Sequence, residues 1–133
     1  MNETKTVLLV DDDPDIRYLM HTVLSRAGYC VVTAADGNEA LAVAEREAPD
    51  VVVVDMLMPH KSGFLVLEKL KVRKDAGPRF IMITGHDGAR HRAYALQLGA
   101  DDFLRKPFAM DQLLASVRRL CPLNEESARS HAS

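Results

Sequence analysis

The sequence has little that would staple, anchor or strongly charge it. Its two cysteines, Cys30 and Cys121, match no metal-ligand spacing. They read as reduced packing or surface thiols of a reducing compartment. The five histidines also lack a zinc spacing and read as surface residues, including His86 and His91. No apolar run is long enough for a bilayer, and Val51-Val52-Val53-Val54 is only strand-length. Met1 to Thr6 is polar, without the apolar core of a secretion signal. The net charge of -2 does not imply a nucleic-acid surface. These absences lead us to expect a cytoplasmic protein with no membrane partner and no direct nucleic-acid partner. No internal repeat or low-complexity linker divides the 133 residues, which fit one domain.

What is present is an alternation. Short apolar runs at residues 7–10, 51–54 and 80–83 read as buried strands, and β-prone stretches at 29–33 and 102–105 add two more. Helical patterns separate them. After Pro14, Ile16, Leu19, Met20, Val23 and Leu24 keep the spacing of one helix face, until Gly28 stops it. Asp36 can cap a second helix through Glu47, with Ala40, Leu41 and Ala44 on one face. Further helices are expected at 63–74 (Phe64, Leu67 and Leu70 inward), 89–98, and 109–120 (Leu113, Leu114 and Val117 inward). Strand and helix alternating throughout argue a parallel sheet with helices on both faces. Five such units suggest the α/β flavodoxin-like order 2-1-3-4-5, whose sites lie at the carboxyl ends of the strands.

Those strand ends carry the chemistry. Asp11, Asp12 and Asp13 follow the first strand, and Asp55 follows the third. If the two strands are neighbours, several carboxylates share one crevice. Two such charges about 4 Å apart repel by about 4 kcal/mol at an effective dielectric near 20, so the cluster needs a proton, a lysine or a cation. Hard carboxylate oxygens with room for water suit Mg2+. Acidic residues at strand ends also serve as turn punctuation and helix caps, and Asp13 and Asp15 suit that role ahead of the first helix. Thr84 closes the fourth strand, with Gly85 leaving space above it, and Lys106 follows the fifth. A hydroxyl and an ammonium converging on a carboxylate and a cation make a phosphate-sized pocket.

The stretches Val10-Asp11-Asp12-Asp13-Pro14, Val54-Asp55-Met56-Leu57-Met58-Pro59, Ile83-Thr84-Gly85 and Phe103-Leu104-Arg105-Lys106-Pro107-Phe108 resemble response-regulator receiver domains of two-component systems, in order and spacing. The resemblance covers about residues 5–120 and is closest in kind to single-domain chemotaxis-type regulators. It implies that Asp55 is the phosphoacceptor. It implies that Asp12, Asp55 and the backbone carbonyl of Leu57 bind Mg2+ (or Mn2+) directly, and Asp11 through water. By the same resemblance Thr84 bonds the phosphoryl group, Lys106 pairs with it, Phe103 is the rotameric reporter, and the Lys106–Pro107 bond is cis. The loop His60-Lys61-Ser62-Gly63 lacks the family's usual glycine-and-acid pattern but keeps Gly63, which bears on partner preference rather than on chemistry.

The implied protein is a switch and not an enzyme beyond its own phosphorylation and slow dephosphorylation. The donor would be a histidine kinase or a histidine phosphotransfer protein. The signal would leave by the surface of the fourth helix, fifth strand and fifth helix, to an unidentified protein or through a phosphorylation-dependent homodimer of an otherwise monomeric chain. Residues 1–121 are expected to form the receiver, and 122–133 a disordered tail with no output domain. Leu57 and His86 would flank the path of hydrolysis, and apolar Leu57 cannot bond an attacking water, so slow self-dephosphorylation is expected. Three other readings fit less well. A haloacid-dehalogenase-type phosphatase would use the Asp-x-Asp of Asp11 and Asp13, but the chain is short and Asp15 stands where Thr or Val is usual. A calcium loop of the EF-hand kind would put Ile16 at its glycine and Thr22 at its bidentate acid. A pseudo-receiver would not need the intact acid set.

Overall fold

A computed structural model describes residues 4–56, 63–70, 77–85 and 88–123. The elements alternate as β1 (Thr6–Val10), α1 (Pro14–Arg26), β2 (Cys30–Ala34), α2 (Gly37–Glu47), β3 (Val51–Asp55), α3 (Gly63–Leu70), β4 (Arg79–Thr84), α4 (Gly88–Leu98), β5 (Asp102–Arg105) and α5 (Met110–Leu120). All pairings are parallel, in the order β2-β1-β3-β4-β5. The α/β flavodoxin-like architecture expected from the sequence is the one observed. No helix among the described residues is long and apolar enough to cross a membrane.

The continuous apolar runs arise because the sheet is covered on both faces. Alternate residues of each strand feed two cores. Leu8, Val10, Val52, Val54, Phe80 and Met82 pack under α2, α3 and α4, with Ala40, Ala44, Val66, Leu67 and Ala95. Val7, Leu9, Val51, Val53, Ile81 and Ile83 pack under α1 and α5, with Met20, Leu24, Leu113 and Val117. A one-residue slip of register would exchange these two sets, so packing specifies the register strongly. The register sets Val10 opposite Val54 and Asp55 opposite Ile83, which aligns the strand ends that carry the polar residues.

Local signals place the helix ends. Asp13 caps α1: its Oδ1 accepts from the amides of Asp15 (2.9 Å) and Ile16 (3.4 Å), and Pro14 begins the first turn. Asp36 caps α2 by accepting from the Glu39 amide at 2.9 Å. Gly28, at φ 109°, ends α1 in a conformation that an L side chain rarely adopts.

Some expectations change. Asp55 is the last residue of β3 rather than the first after it. Tyr29 precedes β2 and is buried, its hydroxyl donating to the Cys121 carbonyl at 2.8 Å. Cys121 is itself buried and Cys30 exposed, and both thiols are free. Leu19, expected inward, is 51% exposed. The buried stripe of α1 runs through Ile16, Met20 and Leu24, and Leu19 sits about 100° from Met20 around the axis, past the stripe's edge. Leu41, Leu70 and Leu114 are only half-buried. The expected ends of α3 beyond residue 70 and of the tail beyond 123, and the side chain of Phe64, lie outside what is described.

Candidate functional site

The chain order reverses between β1 and β3, the neighbouring strands from which the fold winds in opposite directions. Connections diverge there and leave a crevice at the carboxyl ends. Asp11 and Asp12 stand just past β1 and Asp55 ends β3. One carboxylate oxygen from each of the three lies within 4.8 Å of the others. Asp11 is fully buried, Asp55 is 8% exposed, and Asp12 is open to solvent.

The cluster is held by its surroundings. Lys106 Nζ donates to Asp55 Oδ2 at 2.8 Å and lies 3.7 Å from Asp11 Oδ2. Its position follows from β5: the Lys106 amide donates to the Thr84 carbonyl at 2.8 Å, continuing the β4–β5 ladder by one residue. The Lys106–Pro107 bond is cis, as the resemblance implied. Asp11 Oδ1 accepts from the Asp13 amide at 2.9 Å, whereas Asp11 Oδ2 is buried without a hydrogen-bond partner. Thr84, 6% exposed, closes β4, and the space around Gly85 is open.

The electrostatics are divided. Burial pushes the Asp11 carboxyl above its ordinary range. The Asp13 amide and Lys106 pull it back, and Asp55 and Asp12 push it further up. For Lys106, burial works to lower the pKa, but the hydrogen bond and charge of Asp55, helped by Asp11 and Asp12, prevail and hold it above the ordinary lysine value. One ammonium facing three carboxylates leaves a negative excess, and Asp11 Oδ2, 3.7 Å from Lys106 Nζ, has no hydrogen-bond partner. That donor set fits a hard divalent cation: Asp11, Asp12 and Asp55 offer only oxygen.

Two further residues support the site: Arg17 has no role in the sequence reading, and Gly63 enters it only as the kept residue of its loop. Arg17 Nη1 donates to the Asp11 backbone carbonyl at 2.7 Å. Gly63 begins α3 directly beneath the acceptor, where a Cβ would stand 2.4 Å from the Asp55 carbonyl oxygen, so only glycine fits. Phe103, half-buried beside the α4 core, lies under the Arg92 guanidinium, 5.1 Å from the ring centroid. Leu57 and His86 lie outside the described residues, as does the His91 side chain. A separate hollow of about 670 Å³ opens at the opposite end of the sheet, near Lys5, Asp50, Arg79 and Cys121, and contains none of these groups.

The expected site residues are thus brought together around one crevice: Asp11, Asp12, Asp55, Thr84 and Lys106, with Phe103 on the adjoining strand. The family model "Response regulator receiver domain" matches residues 7–118. The chain is 43% identical over 129 residues to "Probable transcriptional regulator ycf27" of Guillardia theta, covering 96% of this chain and 50% of that one. It is 39% identical over 126 residues to the alkaline phosphatase synthesis transcriptional regulatory protein PhoP of Bacillus subtilis, covering 95% and 52%. The chain therefore spans about half the length of these curated relatives. Among solved structures, the Vibrio cholerae chemotaxis protein CheY4 superposes with a TM-score of 0.82 at 34% identity, covering 89% of this chain and 99% of that one. Receivers of this kind are phosphoacceptor switches of two-component signalling that bind Mg2+ at an acidic pocket, and this chain belongs to the response regulator receiver domain family.

Proposed function

We propose that the chain is a response regulator whose Asp55 receives a phosphoryl group from a phosphohistidine of a kinase or phosphotransfer protein. The observation that carries this reading is the Lys106 ammonium, 2.8 Å from Asp55 Oδ2 in a pocket shared with Asp11 and Asp12. In the transfer, an Asp55 oxygen bonds to phosphorus as the donor's phosphorus–nitrogen bond breaks, and the electron pair returns to the imidazole. Asp12 and Asp55 would hold Mg2+ directly, with the Leu57 carbonyl, and Asp11 through water. The cation would offset charge on the phosphoryl oxygens. Lys106 would exchange its bond with Asp55 for one to the phosphoryl group, and Thr84 would donate its hydroxyl to the same group. Asp11, buried and with its own oxygen unsatisfied, serves the cation better than it would serve as acceptor.

The phosphorylated side chain gains roughly -1.5 to -2 of charge. Thr84 moving toward it would open space that Phe103 turns to fill, altering the surface of α4, β5 and α5. We take the chain to act in the cytoplasm through a protein partner or a second copy of itself, as a unit of residues 1–121. The test is intact-mass analysis after acetyl phosphate and Mg2+. One phosphoryl group should appear in the wild type and none at this site in Asp55→Asn. Undiminished labelling of the variant would overturn the assignment.

A further inference from the structure

Asp12 is the exposed member of the carboxylate cluster, and its aim depends on the turn that carries it. That turn is short: Asp11, Asp12 and Asp13 lead straight from β1 into α1. Each peptide unit is planar, so holding one of its atoms orients the whole unit. The Asp12–Asp13 peptide is held through the Asp13 amide, which donates to Asp11 Oδ1 at 2.9 Å. The Asp11–Asp12 peptide is held through the Asp11 carbonyl, which accepts from Arg17 Nη1 at 2.7 Å. These two planes bracket the Asp12 α-carbon. Arg17 comes from the first turn of α1, whose own start is set by the Asp13 cap, and lines a shallow hollow with Pro14, Tyr18, His21 and Thr33.

We propose that Arg17 is a positioning residue for the cation site, fixing the Asp11–Asp12 peptide so that the Asp12 carboxylate faces Asp55. The inference rests on the reading of the crevice given under Proposed function and adds to it a residue that touches neither cation nor phosphoryl group. A charge-assisted bond to a backbone carbonyl is stronger than a neutral one, which suits an anchor. The electrostatic effect of Arg17 has the opposite sign. A guanidinium near an acidic cluster disfavours a second cation there, so its charge alone weakens Mg2+ binding. Removing it therefore distinguishes the two roles by direction.

The experiment is a Mg2+ titration of the cation-free protein, followed by the backbone amide resonances of the pocket, for wild type, Arg17→Met, Arg17→Lys and Asp12→Ala. Methionine keeps an apolar stem without donor or charge. Arg17→Met should bind Mg2+ about tenfold more weakly, at the lower end of what losing an outer partner of a metal site costs. Arg17→Lys, which keeps a charge and a donor, should fall between it and wild type. Without cation, the Asp13 amide should exchange with solvent faster in Arg17→Met, while the β1 and β3 amides keep wild-type protection and show that the fold is intact. Unchanged or tighter binding in Arg17→Met, with Asp12→Ala weakened, would overturn this inference and leave the functional reading standing. A wild type whose Asp12 and Asp55 resonances ignore Mg2+ would overturn both.

Discussion

Asp11→Asn should make the cation-free protein more stable at neutral pH, although it removes a group from the centre of the site. The wild-type carboxylate is fully buried, and its neighbours Asp12 and Asp55 place oxygens within 4.8 Å. At an effective dielectric near 20, each repulsion at that distance is worth about 3.5 kcal/mol. Lys106, 3.7 Å from Asp11 Oδ2, returns about 4.5 kcal/mol on the same scale. Asp12 and Lys106 both reach solvent, which weakens their contributions. Because that weakening falls on one term of each sign, the two repulsions still exceed the Lys106 attraction, by about 2.5 kcal/mol on this scale, and burial of Asp11 acts in the same direction, so the net gain on neutralisation is about 2–3 kcal/mol. Asparagine keeps an oxygen for the Asp13 amide and puts an N–H donor where the orphaned oxygen was. The pH dependence gives a second check. The folded pKa of Asp11 is raised, so above the ordinary aspartate value of 3.8 the unfolded chain binds fewer protons, and stability falls as pH rises toward the folded pKa. Wild type and variant should converge below that window and separate above it. Urea unfolding in EDTA from pH 3.5 to 8 measures this. Added Mg2+ should stabilise wild type more than the variant and narrow the gap. An Asp11→Asn protein less stable than wild type at pH 7 in EDTA would refute the reasoning, because the Lys106 pairing would then outweigh the repulsion.

Gly63→Ala should lower stability by about 1–3 kcal/mol, because the new methyl meets backbone atoms of Asp55 and Met56 rather than a movable side chain. Its acetyl phosphate labelling should fall as well, measured by intact mass, since Asp55 itself has to shift. Lys106→Ala should stay folded, with a loss of about 1–3 kcal/mol for its charged hydrogen bond to Asp55 and a much larger loss of phosphorylation-driven response. Its folded pKa is raised, so the wild-type contribution is complete below the unfolded lysine value near 10.5 and disappears as pH climbs through the folded one. An alkaline unfolding series should show that decline in wild type and not in the variant. Leu57→Asn should speed decay of the phosphorylated protein in Mg2+, followed by phosphate release, because an amide can hold the water that leucine cannot.

The parts of this protein legible in its sequence are those where residue type and chain position suffice. Four apolar residues ended by an acid, at 51–55, identify a buried strand and a carboxylate at its carboxyl end, and parallel topology then brings β1 and β3 together. Asp13 reads as a cap because a short carboxylate before proline has few better uses, and its two amide bonds bear this out. Leu19 reads wrongly because periodicity shows which residues share a side of a helix, whereas the width of the buried stripe depends on what lies opposite. Arg17 and Gly63 are harder to see for a different reason. Their partners at the site are backbone carbonyl groups, of Asp11 and Asp55, and every residue has one. A side chain that recognises a carbonyl leaves no complementary residue type elsewhere in the sequence, so no pairing of letters reveals it. The reacting groups of the crevice are therefore written in residue identity. The groups that aim them are written in backbone geometry, and there an arginine one turn into a helix looks like any solvated charge.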